Sequence, residues 1–454
     1  MDTKQRIHFI AIGGSIMHNL AIALKEKGHQ VTGSDDEIYE PAKSRLDKHG
    51  LLPKMDGWNP DIITNELEAV ILGMHARVDN PELLKAQELG VKIYSFPEYI
   101  YEQSKNKQRV VIAGSHGKTS ITAMIMHVLK YFKREFDYAV GAQLNGFENM
   151  VKLSNAPLII IEGDEYLSSP IDPSPKFLKY HHHIGLISGI SWDHINVFGT
   201  EEEYVKQFED FADRTPKAGS LAYYENDPMS MMIGKKERDD VVLIPYSTHT
   251  HTIEQNKTFL SVDNESYPLK VFGRHNLQNL NGAKGVLGRI GISANQFYEA
   301  IQSFEGASKR MEQIGQNDIT TIYKDYAHAP SKVKATTRAL KEQYPKRELV
   351  ACLELHTFSS LNKDFLSQYK DTMNYATVPV VYFNPATVVH KQLPEITKSD
   401  IQTHFGIADL QVFDDKSELV DFLKTQNWEN KNLIMMSSGT FDNLDLNQLA
   451  AEII

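Results

Sequence analysis

The chain is poor in cysteine, in long apolar runs and in positive charge, and each shortage excludes a class of protein. Cys352 is the only cysteine among 454 residues, so no internal disulfide can form and a reducing compartment is expected. No apolar stretch reaches bilayer length, and the first residues lack the apolar core of a signal peptide. The net charge of −11 argues against nucleic-acid binding, which needs a basic surface. We expect a cytoplasmic protein, monomeric or homodimeric, that binds neither nucleic acid nor membranes.

The length and the order of predicted elements indicate several α/β domains. A chain of 454 residues is too long for one hydrophobic core, and its composition is 41% hydrophobic and 24% charged, as in ordinary globular enzymes. Strands and helices alternate, which predicts doubly wound parallel sheets. We place three domains at residues 1–107, 108–312 and 313–454. The polar run Glu102–Arg109 is predicted to be the first linker.

The most informative motif follows the apolar strand Val110–Ala113 and opens an amphipathic helix. A glycine-containing turn before a helix directs backbone N–H groups and the helix N-terminus at an anion. A lysine there adds positive charge, and a hydroxyl can bind Mg²⁺. The glycines are two residues apart, not four as in the common P-loop, and a plain structural turn is the alternative. The candidate phosphate-binding residues are Gly114, Ser115, His116, Gly117, Lys118, Thr119 and Ser120.

A second turn near the N-terminus is predicted to bind a nucleotide diphosphate. Gly13, Gly14 and Ser15 follow the predicted strand Ile7–Ile12 and open a helix, and Asp35 ends the next strand. A dinucleotide fingerprint needs a third glycine, which is missing, so a nucleotide sugar fits at least as well as NAD. A Rossmann oxidoreductase and a turn without a ligand are the alternatives.

Polar residues at later strand ends are typical of a metal-assisted phosphoryl site. Glu162 ends an apolar strand, and His194 follows the next one. Asn276 and Asn279 lie three apart on a predicted helix, where they could contact adenine or cap the helix. Further candidates are Arg310, which could clamp a phosphoryl group, and Asp325 at a strand end. Consecutive histidines cannot all face one ion from a strand, so the run 181–183 is not predicted to bind metal.

Together these motifs resemble the Mur ligase family over essentially the whole chain. The first turn is similar to the family's ATP loop, G-[ST]-x-G-K-[ST]. The run around Asn276 and Asn279 matches G-x-H-N-x-x-N, Arg310 matches Arg-x-Glu, and Asp325 matches D-Y-A-H-x-P. The resemblance implies an α/β protein of three domains: a Rossmann-like UDP-sugar domain, a P-loop-type central ATPase domain and an α/β C-terminal domain that binds an amino acid or peptide.

The resemblance also implies a role for each residue. It implies catalysis by Lys118, Glu162, His194 and Arg310, and Mg²⁺ binding by Thr119, Glu162 and His194. It implies ATP binding by the 114–120 turn with Asn276, Asn279, Arg310 and Asp325. It implies UDP-sugar binding by Gly13, Gly14, Ser15, Asp35 and Asn80.

The implied activity is ATP-dependent and Mg²⁺-dependent amide formation on UDP-N-acetylmuramate, through an acyl phosphate. The run Glu162–Tyr166, followed by Lys176–Tyr180, favours the tripeptide L-alanyl-γ-D-glutamyl-meso-diaminopimelate as the amine, in peptidoglycan recycling. L-Alanine, in peptidoglycan biosynthesis, is the alternative, and a non-catalytic UDP-sugar-binding protein is another. The chain departs from the family at Ala11, Gly189, Ala329 and His356, and the last departure leaves the acceptor open.

Overall fold

The computed structural model describes residues 4–192, 197–236, 238–307 and 310–454. Contacts divide the chain into two compact units: unit 1 is Met1–His249 with Gln278–Ile301, and unit 2 is Thr250–Leu277 with Gln302–Ile454. In the described residues, no helix combines the length and apolar character needed to cross a bilayer.

The N-terminal part of unit 1 is a parallel sheet flanked by helices. Its strands are β1 (Arg6–Ile10), β2 (Gln30–Ser34), β3 (Ala69–Leu72) and β4 (Ile93–Ser95), in the order β2-β1-β3-β4. Its helices are α1 (Ser15–Glu26), α2 (Ala42–Lys48), α3 (Pro81–Leu89) and α4 (Phe96–Ser104). The strand predicted to reach Ile12 ends at Ile10, because Ala11 has a φ of 65° and turns the chain.

The rest of unit 1 is built on a seven-stranded sheet. In chain order its elements are β5 (Gln108–Ala113), α5 (Lys118–Tyr131), β6 (Asp137–Ala139), β7 (Val151–Lys152), β8 (Leu158–Glu162), β9 (Leu167–Ser169), β10 (Asp172–Pro175), β11 (Ile184–Ile187), α6 (Glu201–Asp213), β12 (Ser220–Tyr224), α7 (Pro228–Gly234) and β13 (Val242–Tyr246). The sheet order is β13-β12-β11-β5-β8-β6-β7, and β9 with β10 forms a separate antiparallel hairpin. Since β11, β5 and β8 are parallel neighbours, their carboxyl ends meet at one edge, where α/β sheets bind ligands.

The prediction that Glu102–Arg109 forms a linker is wrong. Helix α4 continues to Ser104 and β5 begins at Gln108, so three residues join them. The Arg109 side chain is buried and donates to the carbonyl oxygens of Ser104 (2.7 Å) and His181 (2.9 Å). Polar composition was misleading here because these polar groups are satisfied inside the fold.

Unit 2 contains two sheets. The strands β14 (His251–Glu254), β15 (Lys257–Val262) and β16 (Glu265–Leu269) form an antiparallel sheet. Helix α8 (Arg274–Arg289) is divided between the two units, and α9 (Ala294–Ile301) belongs to unit 1. The remaining elements are β17 (Glu312–Gln316), β18 (Thr321–Asp325), α10 (Pro330–Gln343), β19 (Glu348–Leu355), β20 (Val378–Phe383), α11 (Pro385–His390), α12 (Lys398–Phe405), β21 (Gln411–Phe413), α13 (Lys416–Lys424), β22 (Lys431–Met436) and α14 (Leu446–Ile453).

The larger sheet of unit 2 has the order β17-β18-β22-β19-β20-β21, parallel except for β17. Alternate residues of β19 enter two different cores: Leu349, Ala351 and Leu353 pack on one face, and Val350 and Cys352 on the other. This alternation follows from the two-residue period of a strand, and it explains why the middle of β19, residues 349–353, is apolar on both faces.

Candidate active site

The predicted phosphate turn lies at the carboxyl end of β5, and both of its glycines are sterically required. Gly114 has a φ of 127° and Gly117 a φ of 78°, a region that other residues rarely adopt. A Cβ on Gly114 would lie 2.2 Å from Ser188 Oγ, and a Cβ on Gly117 would lie 2.2 Å from Asn279 Oδ1. The turn is therefore closely packed, and α5 begins directly after it at Lys118 without a side-chain cap.

The other residues of the turn divide into structural and ligand-facing groups. The Ser115 N–H donates to the Gly189 carbonyl (3.0 Å), and its hydroxyl bonds Tyr204 Oη and accepts from the Ser191 N–H (both 2.8 Å). The His116 carbonyl accepts from Ser188 Oγ, and Ser120 is buried on α5. These contacts hold the shape of the turn, while the uncapped first turn of α5 supplies N–H groups for an anion.

Lys118 is held by an acidic partner. Its Nζ donates to the Gly114 carbonyl (2.7 Å) and to Glu165 Oε2 (2.6 Å), and the Glu165 side chain is only 1% exposed. Burial lowers the pKa of Lys118, but the charges of Glu165, Asp164 and Glu162 outweigh burial and raise its pKa overall. The lysine therefore carries a full positive charge beside the turn at neutral pH.

Glu162 and Thr119 form an oxygen-rich pair next to this lysine. Thr119 Oγ1 donates to Glu162 Oε1 (2.7 Å), and the Gly141 N–H donates to Glu162 Oε2 (2.9 Å). A carboxylate and a hydroxyl fit Mg²⁺, which usually completes its shell with phosphate oxygens and water. The described residues contain no cluster of three acidic, histidine or cysteine side chains placed for a metal. His194 lies outside the described residues, so its predicted place in the set stays a prediction.

The N-terminal turn is hydrogen-bonded to Asp35. The Gly13 N–H donates to Asp35 Oδ2 (2.6 Å), and α1 begins at Ser15 with Gly14 before it and no side-chain cap. Burial, and then the neighbouring Asp36, raises the pKa of Asp35 to about 6. Asn80 is 3% exposed, and its Oδ1 caps α3 by accepting from two backbone N–H groups, so its structural contact is that of a cap.

One cavity of about 260 Å³ in unit 1 is lined both by the N-terminal turn and by Glu162. Gly14 and Ser15 line it from the start of α1, and Glu162 and Gly141 line it from the edge of the seven-stranded sheet. Lys176, after β10, is a further lining residue. The start of α1 therefore lines the same cavity as Glu162, the carboxylate predicted to bind Mg²⁺.

The two predicted asparagines lie on α8 and make different contacts. Asn279 is 5% exposed, and Gly117 packs against its amide oxygen. Asn276 Nδ2 donates to the Phe272 carbonyl (2.9 Å), a contact typical of a helix start. Between them Gln278 Nε2 donates to the Ser188 carbonyl (2.9 Å).

Within unit 2, Arg310 and Asp325 lie close together. Asp325 accepts from the N–H groups of Met311 (2.5 Å) and Ala327 (2.7 Å), and the Arg310 guanidinium lies 5.0 Å from the centre of the Tyr326 ring. His275 is close to both charges. Burial has the largest effect and lowers the pKa of His275; the charge of Asp325 raises this pKa and that of Arg310 lowers it, and the net shift is downward. His275, which precedes the predicted Asn276, was not among the predicted site residues.

Three family models match the chain in tandem. "Mur ligase family, catalytic domain" matches residues 6–108, "Mur ligase middle domain" residues 112–287, and "Mur ligase, glutamate ligase domain" residues 309–439. The chain belongs to the Mur ligase family. It has the three-domain Mur ligase architecture and is an ATP-dependent ligase of peptidoglycan synthesis.

Individual relatives of this Mur ligase are similar over most of its length. A UDP-N-acetylmuramate–L-alanine ligase of Lactobacillus acidophilus is 27% identical and covers 97% of each chain. The same enzyme of Carboxydothermus hydrogenoformans is 31% identical, over 78% of this chain and 76% of its own. Among solved structures, a UDP-N-acetylmuramate–alanine ligase from Thermotoga maritima has a TM-score of 0.70 at 20% identity, covering 99% of this chain and 98% of its own. A murein peptide ligase from Psychrobacter arcticus has a TM-score of 0.62 at 21% identity, covering 99% of each chain.

The positions where this Mur ligase departs from the family motifs have definite local roles. Ala11 adopts a φ of 65°, and Gly189 adopts a φ of 128°, which glycine allows easily. Ala329 precedes Pro330 at the start of α10 and offers no side-chain cap. His356 Nδ1 lies 3.8 Å from Glu354 Oε1, and Glu354 is buried where its Oε2 accepts from the Phe441 N–H (2.9 Å).

Proposed function

We propose that this Mur ligase joins the carboxylate of UDP-N-acetylmuramate to the amine of L-alanine at the expense of ATP. Two observations support the proposal. The predicted phosphate turn, with Lys118 and Thr119, lies next to the cavity lined by Ser15 and Glu162, because Glu162 at the end of β8 both bonds Thr119 and lines the cavity. Phosphates and an acidic sugar can therefore meet there. The curated relatives described above, at 27% and 31% identity, are both named for L-alanine as the amine.

The tripeptide L-alanyl-γ-D-glutamyl-meso-diaminopimelate is the second candidate amine. The run Glu162–Tyr166 and the later run Lys176–Tyr180 favour it, whereas the departure at His356 leaves the acceptor open. The names of the relatives favour L-alanine instead, and we therefore rank the tripeptide second. Both candidates use the same chemistry on the sugar.

The proposed reaction has two steps. A carboxylate oxygen of the muramoyl group attacks the γ-phosphorus of ATP, ADP leaves, and an acyl phosphate forms. The amine then attacks the acyl carbon through a tetrahedral intermediate, phosphate leaves, and the nitrogen loses a proton. The chain mainly positions charged groups and stabilises negative charge.

The residues of unit 1 have separate tasks in this proposal. Lys118 and the first turn of α5 bind the β- and γ-phosphates, and the start of α1 with Asp35 binds the UDP group. Thr119 and Glu162, with His194, hold Mg²⁺, which when bound reduces the repulsion between carboxylate and phosphate oxygens. Arg310, Asp325, Asn276 and Asn279 contact ATP. We place the enzyme in the cytoplasm, where ATP is available, as a monomer or homodimer.

The acceptor is tested by measuring phosphate release with ATP, Mg²⁺ and UDP-N-acetylmuramate, with L-alanine or the tripeptide as the amine. We expect the larger kcat/KM with L-alanine. A larger value with the tripeptide would reassign the acceptor and leave the ligase chemistry intact. Phosphate release that depends on neither amine would contradict the proposed function.

A further inference from the structure

Lys176 has no assigned role, yet its side chain enters the cavity beside Glu162. Among the described residues that line this cavity, it is the only lysine or arginine. Its Nζ donates to Asp164 Oδ2 (2.6 Å), and the lysine side chain is 18% exposed. An ammonium group has three N–H donors, and Asp164 takes one of them.

Hydrogen bonds fix the backbone around Lys176, and Asp164 holds its ammonium group. The Lys176 N–H donates to the Tyr166 carbonyl (2.9 Å), and the next N–H, of Phe177, donates to the Asp164 carbonyl (3.1 Å). The Phe177 side chain is fully buried between Phe208 and Phe211. A side chain with such support keeps its geometry when a ligand binds.

The acidic side chains around the cavity repel the substrate carboxylate, and Lys176 can offset this repulsion. Lys118 and the first turn of α5 are committed to phosphates, and the start of α1 faces the cavity at Gly14 and Ser15. The substrate carboxylate must approach Glu162 and Asp164, which repel it. A fixed cation beside these two acids offsets that repulsion.

We propose that Lys176 binds the lactyl carboxylate of UDP-N-acetylmuramate. Through this contact it selects UDP-N-acetylmuramate over UDP-N-acetylglucosamine, which lacks the lactyl group. This inference rests on the proposed function, since it names the group of the same substrate that Lys176 contacts. The contact orients the carboxylate for attack on ATP, so Lys176 is a substrate-binding and specificity-determining residue.

The test compares two ligands that differ in the lactyl group: UDP-N-acetylmuramate and UDP-N-acetylglucosamine. Their dissociation constants are measured by calorimetry for the wild type, Lys176→Met, Lys176→Arg and the matched control Lys179→Met. Lys179 lies in the same short helix, is paired with Asp172 and Glu98, and does not line the cavity. Thermal unfolding of each variant checks that it folds.

We expect Lys176→Met to weaken UDP-N-acetylmuramate binding by about tenfold or more, the usual size of a lost hydrogen bond to a charged group. The affinity for UDP-N-acetylglucosamine should change by less than about twofold on the same reasoning. Lys176→Arg should keep part of the preference, and Lys179→Met all of it. In turnover, Lys176→Met should raise the KM for the muramoyl sugar and leave the KM for ATP unchanged.

Two results would overturn the inference and leave the proposed function standing. Equal weakening of both sugars would place Lys176 at the shared UDP portion or in folding, and unchanged dissociation constants for both sugars would make it a structural partner of Asp164. If the wild type bound neither UDP sugar, the proposed function itself would be wrong, and the inference with it.

Discussion

At the residue scale, Lys118 and Glu165 are the most closely coupled charges of the candidate site. Both side chains are largely buried, and the ammonium group has one carbonyl and one carboxylate as partners. Removing one member of a buried ion pair leaves the other without compensation, which costs more than the pair contributes. The role of Lys118 in turnover can therefore be separated from its role in folding only if Glu165 is changed as well.

Lys118→Met should reduce turnover at least about 100-fold and lower the free energy of unfolding by about 3 kcal/mol. The double variant Lys118→Met/Glu165→Gln should recover most of the lost stability and none of the activity, because the uncompensated carboxylate is gone. Denaturant unfolding and phosphate release measure the two effects. Recovery of turnover in the double variant would show that the lysine does not bind the phosphates.

His182 makes the fold sensitive to acid. Burial, and then the charges of the neighbouring histidines, lowers its pKa to about 3, and the ring stacks on Phe211 and bonds Thr215 Oγ1 (2.9 Å). Because the folded pKa lies below the unfolded value near 6.5, the unfolded state binds more protons between these values. The neutral ring therefore stabilises the fold fully above pH 6.5, and this contribution is lost as the pH falls towards 3.

His182→Gln should reduce the acid sensitivity of unfolding. Between pH 6.5 and pH 5, the wild type should lose about 2 kcal/mol more stability than this variant, at 1.36 kcal/mol per pKa unit. Denaturant titrations at the two pH values give the difference. The exposed His390→Gln serves as the control and should follow the wild type; a His182→Gln curve parallel to both would contradict the assignment.

At the element scale, the strand-turn-helix unit of β5 and α5 carries the predicted phosphate site, and its glycines set how closely β11 and α8 can approach. Ser188 follows β11, and its Oγ and N–H would lie 2.2 Å and 2.8 Å from a Cβ on Gly114. Gly288, near the end of α8, has open space around it. The two glycines thus have opposite consequences when a methyl group is added.

Gly114→Ala should lower stability by about 3 kcal/mol, since it adds a backbone clash to an unfavourable φ, and should abolish ATP binding. Gly288→Ala should raise stability by about 0.5–1 kcal/mol, because alanine favours the helix and reduces the entropy of the unfolded chain. Thermal unfolding and titration with an ATP analogue test both. Normal ATP affinity in Gly114→Ala would show that the turn is not the phosphate site.

Many of the strands and helices around the candidate site could be predicted from the sequence, because local residue patterns determine them. The apolar run before Gly114 and the periodic residues after Ser120 predicted β5 and α5. The linker prediction was wrong because the hydrogen-bond donors of polar residues such as Arg109 are satisfied by carbonyl oxygens elsewhere in the fold. The contacts of Glu165 and Gln278 could not be predicted, since they depend on how β8 and β11 each pair with β5, which no local pattern specifies.

At the scale of the whole molecule, three family models follow one another along a chain whose contacts form two compact units. Lys118, Glu162 and the cavity belong to unit 1, and Arg310 and Asp325 to unit 2. The order of the domains was predictable from the order of the motifs. The division of α8 between the units was not, because it depends on long-range contacts. The domain boundaries at residues 107 and 312 and the assigned site residues stay predictions.

The central claim is that the sugar carboxylate is activated by phosphorylation, and transfer of an oxygen isotope tests it most directly. UDP-N-acetylmuramate labelled with ¹⁸O in both carboxylate oxygens is turned over with ATP, Mg²⁺ and L-alanine, or with the tripeptide if that is the acceptor. The released phosphate is then examined by mass spectrometry. The account predicts one ¹⁸O atom in each phosphate formed during ligation, because the attacking carboxylate oxygen leaves with phosphorus. Unlabelled phosphate formed together with the amide product, with the lost ¹⁸O atom found in water, would contradict this step.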